Sequence, residues 1–262
     1  ALAPLPDPGF GSLLWQAVLG AWGSDPDDVL RERLHGYAMK AMREAGDRTT
    51  WTEPDETYEA AVHAAVDAAF DDREVRGVLE ALVAEVVDAG WSNALSAKLL
   101  ATTLPGVPDV YQGSELWEQS LVDPDNRRPV DLDLRARLLA GIDAGQRPAA
   151  PSGVDDTGEA KLLVTTAALR LRRDHADLFT GYTPIAATGE ASGHVLAFDR
   201  GGAVTVATRL PLGLADRGGW GGTRLDLPAG RWRDVLTGEV TDGDLATLLA
   251  TYPVALLVKE DR

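Results

Sequence analysis

The sequence predicts an α+β fold with helices and strands segregated along the chain. Three observations carry this expectation. Apolar residues recur at helical spacing through roughly the first hundred positions, they alternate through roughly the last eighty, and the period changes from about 3.6 to about 2 after Asp174. The chain has 262 residues, 45% of them hydrophobic, and no cysteine, so it can bury a sizeable core without disulfides.

Leu13, Leu14, Ala17, Val18 and Ala21 share one helical face, and the pattern stops near Gly23. Asp25-Pro26 offers a cap and a first-turn proline for a helix over residues 27–45, with Gly46 as its C-cap. Residues 49–54 read as a loop, and Pro54 opens a helix through Tyr58, Val62, Val66 and Phe70, with a break near Asp71-Asp72. Helical spacing resumes at Val75, Leu79, Leu82, Val83 and Val86, is expected to end at Gly90, and restarts after a Ser92 cap to reach Thr102.

The middle is different in kind. Residues 104–113 hold too many helix breakers to be helical, and Val107, Val110 and Tyr111 are expected to form a short buried strand. A polar loop follows over 115–130. Helices are expected over 132–142 and 159–173, the second capped by Thr157, with a Gly, Pro and Ala-rich linker over 144–153. Beyond Asp174, runs at 194–198 and 204–210 flank Asp199-Arg200-Gly201-Gly202, a hairpin signal. Further runs at 223–227, 231–235 and 254–259 complete the pattern of a small antiparallel sandwich.

Charge narrows the function. There are 41 acidic side chains against 25 basic ones, a net charge of -16, which disfavours nucleic acid and anionic membranes and points to a neutral or cationic ligand. No apolar run reaches about 18 residues, and residues 1–11 carry Pro and Asp where a leader needs a basic and then an apolar stretch, so a cytoplasmic protein is expected. His35, His63, His175 and His194 read as isolated, and there is no cysteine. No metal and no cofactor is therefore expected, and no phosphate loop or nucleophile elbow is present.

The informative stretch is 106–131. It gathers Tyr111, Gln112, Glu115, Trp117, Asp123, Asp125, Asn126, Arg127 and Arg128. Carboxylates, amides and guanidinium groups hydrogen-bond hydroxyls, and an aromatic ring covers the apolar face of a pyranose, so a polyhydroxylated ligand fits this mixture. An Arg-Asp network that pins an irregular loop fits it equally. Trp51, in a loop between helices, reads as a lid or sugar platform or as a packing aromatic. Trp15, Trp22, Tyr58, Trp91, Trp220 and Trp232 are expected in cores, and Lys40 and Arg43 on a solvated helix face.

The run Pro105-Gly106-Val107-Pro108-Asp109-Val110-Tyr111-Gln112-Gly113-Ser114-Glu115 resembles the segment around the eighth barrel strand of α-amylase-type glycosidases, glycoside hydrolase family 13. Asp123-Pro124-Asp125-Asn126-Arg127-Arg128-Pro129-Val130-Asp131 is more specific and is similar to the (1→4)-α-D-glucan 1-α-D-glucosylmutases within that family. Leu14-Trp15-Gln16, Thr50-Trp51, Lys161-Leu162-Leu163-Val164-Thr165 and Leu227-Pro228-Ala229-Gly230-Arg231-Trp232 agree in register, so the resemblance spans nearly the whole chain.

The resemblance implies a C-terminal segment: a helical insertion over 1–103, the last strand, loop and helix of a (β/α)8 barrel over 104–178, and a β-sandwich over 179–262. It implies an isomerase that turns the reducing-end α-1,4 link of a maltooligosaccharide into an α,α-1,1 link by intramolecular transglycosylation. Such retaining chemistry uses two carboxyl groups about 5–5.5 Å apart. The motifs that carry them lie upstream of the matching segment in this family, so no catalytic residue is expected here and the chain alone is expected to be inactive. By the same resemblance the partners are an N-terminal catalytic barrel, in cis or in trans, and maltooligosyl trehalose trehalohydrolase in the pathway. Glu115 is implied to be a supporting residue. The substrate-binding set is Tyr111, Gln112, Glu115, Asp123, Asp125, Asn126, Arg127, Arg128 and Trp51, with most weight on the two arginines. The alternatives are a hydrolase of the same family acting on α-glucan or maltooligosyl trehalose, and a non-catalytic glucan-binding module.

Overall fold

Asp7 starts the first helix, α1 (Pro8–Ala21), because its carboxylate accepts the N–H groups of Gly9 and Phe10 that no helical carbonyl can reach. The computed structural model describes Leu5 and residues 7–260. Residues 1–4 and 6, where part of the expectation about a leader was read, lie outside the described residues. By contact density the chain forms two units, Ala1–Val86 with Gln119–Pro129 and Val87–Glu118 with Val130–Arg262.

The first unit is helical. The second helix, α2 (Asp27–Ala45), ends at Gly46, whose φ of +70° is the left-handed conformation expected of a C-cap. Its N-cap position is held by Pro26 rather than Asp25, because the Asp25 carboxylate is drawn into an ion pair with Arg33. Helix α3 (Glu56–Asp71) is capped by Asp55, which accepts from the N–H groups of Thr57 and Tyr58, a task Pro54 has no side-chain oxygen to perform. Leu14 and Val18, then Leu30, Leu34, Ala38 and Met42, then Val62, Val66 and Ala69 are all buried, the stripes that the apolar spacing required. Each buried leucine contributes about 2 kcal/mol.

Helix α4 (Arg73–Thr103) corrects the sequence reading. It runs for 31 residues without interruption through Gly90 and Ser92, where an end and a new cap were expected. An interior glycine weakens a helix by about 1 kcal/mol relative to alanine but keeps its N–H in the ladder, so it does not break the helix as proline would. Residues up to Val86 belong to the first unit and those from Val87 to the second.

In the second unit, α5 (Leu132–Asp143) is capped by Asp131. Helix α6 (Glu159–Asp174) is not capped by Thr157; Gly158 holds that position at φ +79°, where an added Cβ would stand 2.4 Å from the Trp117 backbone nitrogen. Only glycine can carry the chain past that point. The remaining elements are β1 (Thr183–Pro184), β2 (Ala187–Thr188), β3 (Val195–Asp199), β4 (Ala203–Thr208), α7 (Pro211–Asp216), β5 (Arg224–Leu225), β6 (Trp232–Asp234), β7 (Val240–Thr241), α8 (Leu245–Leu248) and β8 (Val254–Lys259). A six-stranded antiparallel sheet has the order β1-β3-β4-β8-β6-β7, and β2 pairs with β5 in a separate ribbon.

The alternation of β4 and β8 sets the layers. Ala207, Val254 and Leu256 point into one core with Leu95 and Leu99 of α4 and Leu163 and Val164 of α6, while Val204, Val206, Ala255 and Leu257 point into another with Leu225 and Leu245. Helices therefore cover one face, and a two-stranded ribbon with α8 covers the other. That is an antiparallel sheet as expected, but not two full sheets face to face.

Among the described residues no strand forms between α4 and α5, so the strand expected at Val107, Val110 and Tyr111 is absent. Val107 is 96% exposed and Tyr111 is 49% exposed, the reverse of a buried strand. A strand needs a ladder partner, and here the Leu104 and Gly106 carbonyls are taken instead by the Arg172 guanidinium. No helix among the described residues is long and apolar enough to cross a membrane.

Candidate functional site

The nine residues expected to bind substrate fall into two groups. Tyr111, Gln112 and Glu115 belong to the second unit; Trp51, Asp123, Asp125, Asn126, Arg127 and Arg128 belong to the first.

In the second unit the segment before Gln119 is fastened by cations. Arg135 pairs with the Glu115 carboxylate and donates to the Gly113 carbonyl at 3.0 Å. Lys161 donates to the Leu116 carbonyl at 2.9 Å, and burial, with Lys98 nearby, pushes its ammonium down to about 8. Trp117 stacks on Trp91 with ring centroids 4.2 Å apart and donates to Asp156 at 2.7 Å. Glu115 is therefore a bracing group, and the Trp91 indole has a packing role. Tyr111 and Gln112 remain exposed at the surface of this framework.

In the first unit the organiser is Arg33, which sequence reading passed over. Its Nε and Nη2 donate to the two Asp125 oxygens at 2.9 and 2.8 Å, its Nη1 to Asp25 at 2.5 Å and Ser24 at 3.0 Å, and its Nη2 also to the Gln119 carbonyl at 2.8 Å. The Arg33 side chain is only 8% exposed. The guanidinium and the Leu121 N–H, against the cost of burial, hold the Asp125 carboxyl below its usual range. Arg128 joins the same network, 3.3 Å from Asp25 and 3.1 Å from the Ser120 hydroxyl. Asp125, Asn126 and Arg127 form a single 3-10 turn, and the Asn126 Oδ1 is buried without a hydrogen-bond partner among the described residues.

Arg127 is placed differently. It is 69% exposed and pairs with Asp123 at 2.5 Å. Lys40, expected on a solvated face, instead donates to the Asp123 carbonyl. Arg43, also expected in solvent, forms a bidentate pair with buried Glu59 at 2.8 Å through each nitrogen. That pair, together with the Thr49 hydroxyl, lowers the Glu59 carboxyl to about 2. Trp51 is 57% exposed and lies against the Arg43 guanidinium, 5.1 Å from ring centroid to carbon, so it is not a core aromatic. Trp22, Tyr58 and Trp232 are buried as expected, while Trp15 and Trp220 are half-buried.

A cavity of about 320 Å³ opens between α2 and the 122–125 turn, with Arg33, Tyr37, Lys40, Asp123 and Asp125 in its wall. The sequence signal for it was available: Arg33, Tyr37 and Lys40 lie at i, i+4 and i+7, a second stripe beside the apolar one.

His35 and His63 are not isolated. They lie on the adjacent helices α2 and α3 with their Nδ1 atoms 2.7 Å apart, and His35 Nε2 is 2.9 Å from Asp67. The carboxylate accepts from His35 Nε2, and across the Nδ1–Nδ1 contact one imidazole donates to the other. Burial first, and His35 second, push the His63 imidazole below its ordinary pKa. No group of three or more potential metal ligands occurs among the described residues.

No family model matches the chain. The structure of maltooligosyltrehalose synthase from Arthrobacter ramosus superposes with a TM-score of 0.87 at 50% identity, over 95% of this chain and 32% of that one. The chain is homologous to part of maltooligosyl trehalose synthase. A Mycobacterium tuberculosis H37Rv protein provisionally named maltooligosyl trehalose synthase is 46% identical over 268 residues, covering all of this chain and 33% of that protein. A Sulfolobus tokodaii protein described as a hypothetical maltooligosyl trehalose synthase shares 26% identity over 98% of this chain with a TM-score of 0.71. The chain thus spans about a third of the length of these synthases and matches their C-terminal part.

Proposed function

We propose that this chain supplies part of the sugar-holding machinery of an isomerase that converts the reducing-end α-1,4 linkage of a maltooligosaccharide into an α,α-1,1 linkage. The observation that carries the reading is the 50% identity to the Arthrobacter ramosus synthase, sustained over 95% of the chain. In this reaction one carboxylate displaces the terminal glucose from the anomeric carbon while a second carboxyl group protonates the leaving oxygen. The freed glucose turns in place, and its own anomeric hydroxyl attacks the glycosyl-enzyme, giving up its proton to that second group. No water is consumed. Both carboxyl groups belong to a barrel outside this chain, in cis or in trans, and the chain alone is inactive. A trehalohydrolase is the partner that consumes the product.

The rotation step succeeds only if water is excluded and free glucose is gripped through several hydroxyls. Arg128, tied to Asp25 and Ser120, braces the loop; Arg127, exposed and paired with Asp123, is the arginine with donors to offer sugar. In the first unit Asp123, Asp125 and Asn126 hold or brace sugar with Trp51 as a platform, and in the second unit Tyr111 and Gln112 offer sugar contacts on a loop that Glu115 braces. The test is Arg127→Ala in the complete synthase, with products resolved by NMR. A larger share of free glucose relative to α,α-1,1 product is the expected result, and an unchanged ratio at unchanged turnover refutes the role.

A further inference from the structure

We propose that His35 and His63 form an acid-operated latch between α2 and α3, closed while the pair carries at most one positive charge and opened when both imidazoles are charged, and that its opening loosens the Arg33-held loop over 119–129. The latch stands on side-chain geometry; only its consequence for sugar holding rests on the functional reading above.

The two Nδ1 atoms stand 2.7 Å apart, so one carries the proton and the other the lone pair. Two imidazolium ions hold a proton on every ring nitrogen, and neither is left to accept. The hydrogen bond then becomes a collision of two N–H groups and two like charges. The rings lie 4.8 Å apart between centroids and belong to different helices, so the repulsion acts directly between α2 and α3.

The charged groups that face the pair come from both helices. Arg31 of α2 is paired with Asp71 of α3 through two nitrogens, and Arg43 of α2 with Glu59 of α3, which also accepts from Thr49. That leaves Asp67, 2.9 Å from His35 Nε2 and 3.4 Å from Arg31, to balance one imidazolium charge and not two. Burial first, then His35, with Arg43 adding to them, push the His63 imidazole below its ordinary 6.5 against the pull of Glu59 and Asp67.

Helix α2 connects the latch to the loop. Arg33 precedes His35 by two positions, about 200° around the helix, so α2 faces α3 with His35 and the loop with Arg33. Lys40 of the same helix holds the Asp123 carbonyl. A shift of α2 away from α3 is therefore felt at Gln119, Asp123 and Asp125.

Above pH 6.5 the folded and unfolded chains both hold His63 neutral. As pH falls below that value the unfolded chain binds a proton that folded His63 refuses, so stability is full above 6.5 and is lost towards acid. One refused proton raises the unfolding equilibrium constant by at most about tenfold per pH unit.

The test is a series from about pH 8 to about pH 5 on the 262-residue protein, read by urea unfolding and by NMR with nitrogen-15 in the main chain and the histidine rings. His35 and His63 are expected to titrate in two separated steps, the second below the single steps of His175 and His194. The Leu121 N–H, which donates to Asp125, is expected to shift with that second step, since the Asp125 carboxyl itself titrates below its usual range. His63→Gln keeps a donor opposite His35 and takes no charge, so its urea midpoint is expected to fall less towards pH 5 than that of the unmodified protein. Single, independent steps at both rings overturn the latch, as does an equal acid loss in His63→Gln. A Leu121 signal that ignores the second step overturns the link to the loop. The NMR arm uses the unmodified protein, so a poorly folded variant does not decide the result. No sugar enters the assay. A failed latch leaves the Arg127→Ala product ratio as it is, and a refuted isomerase role leaves the two-step titration in place.

Discussion

The stretch from Gly106 to Pro129 is one loop in sequence and two different devices in structure. Up to Glu118, cations donate to main-chain carbonyls and indoles stack, so the charged groups and indoles are consumed in holding the backbone while Tyr111 and Gln112 stay exposed. From Gln119 onward, one buried arginine gathers two carboxylates and a carbonyl, and the turn it fixes lines a cavity with exposed Arg127 on its surface. The same vocabulary of Arg, Asp, Glu and Trp gives a framework in the first case and a ligand-ready face in the second. What separates them is whether donors are left over once the backbone is satisfied.

The sharpest way to break this contrast is to remove its organiser. Arg33→Ala leaves Asp25 and Asp125 partly buried without their main cation, and a loss of about 3 kcal/mol in urea unfolding is expected. A loss below about 1 kcal/mol would show that the network is a surface ion pair in effect. Next in size is Gly158→Ala, which forces a Cβ onto the Trp117 backbone at positive φ and is expected to cost about 2 kcal/mol. Its mark is a changed Trp91–Trp117 fluorescence, with the Arg33 network unaffected.

A pH series sharpens the comparison inside the first unit. Glu59 is held at about 2 against an ordinary 4.5, so its pair with Arg43 stabilises the fold fully above pH about 4.5 and loses that contribution as pH falls through about 2. Arg43→Ala is expected to lower the urea midpoint at pH 7 and to converge with the unmodified protein as the solution is acidified. A constant gap across that range would assign the effect to packing against Trp51 instead. The smallest change is expected from Arg127→Ala, within about 0.5 kcal/mol of unmodified stability, since its side chain is exposed and braces nothing but Asp123. A large loss there would move Arg127 from ligand to framework.

Much of the fold was legible in the sequence because local rules were strong where they applied. The stripe Leu30, Leu34, Ala38 and Met42, the Gly46 cap and the apolar run of β8 are each set by spacing and backbone preference, and each is where the sequence placed it. The caps at Pro26 and Gly158 were misplaced by one residue, and the helix that Pro54 was expected to open starts at Glu56, since a cap depends on what else competes for its oxygen or its space. Gly90 was read as a stop because its cost is real, though too small to outweigh a helix of 31 residues.

The sequence by itself determined the segregated α+β class, the helical stripes, the hairpin at Asp199–Gly202 and the kinship with trehalose-forming synthases, because periodicity, turn chemistry and motif identity are written in neighbouring residues. Only the tertiary structure decided that Arg33 rather than Arg127 organises the loop, that Lys40 and Arg43 leave solvent for Asp123 and Glu59, and that His35 meets His63 across two helices. Those are contacts between residues 16 to 92 positions apart, and the energy of a charge depends on its surroundings in space, which no local pattern encodes.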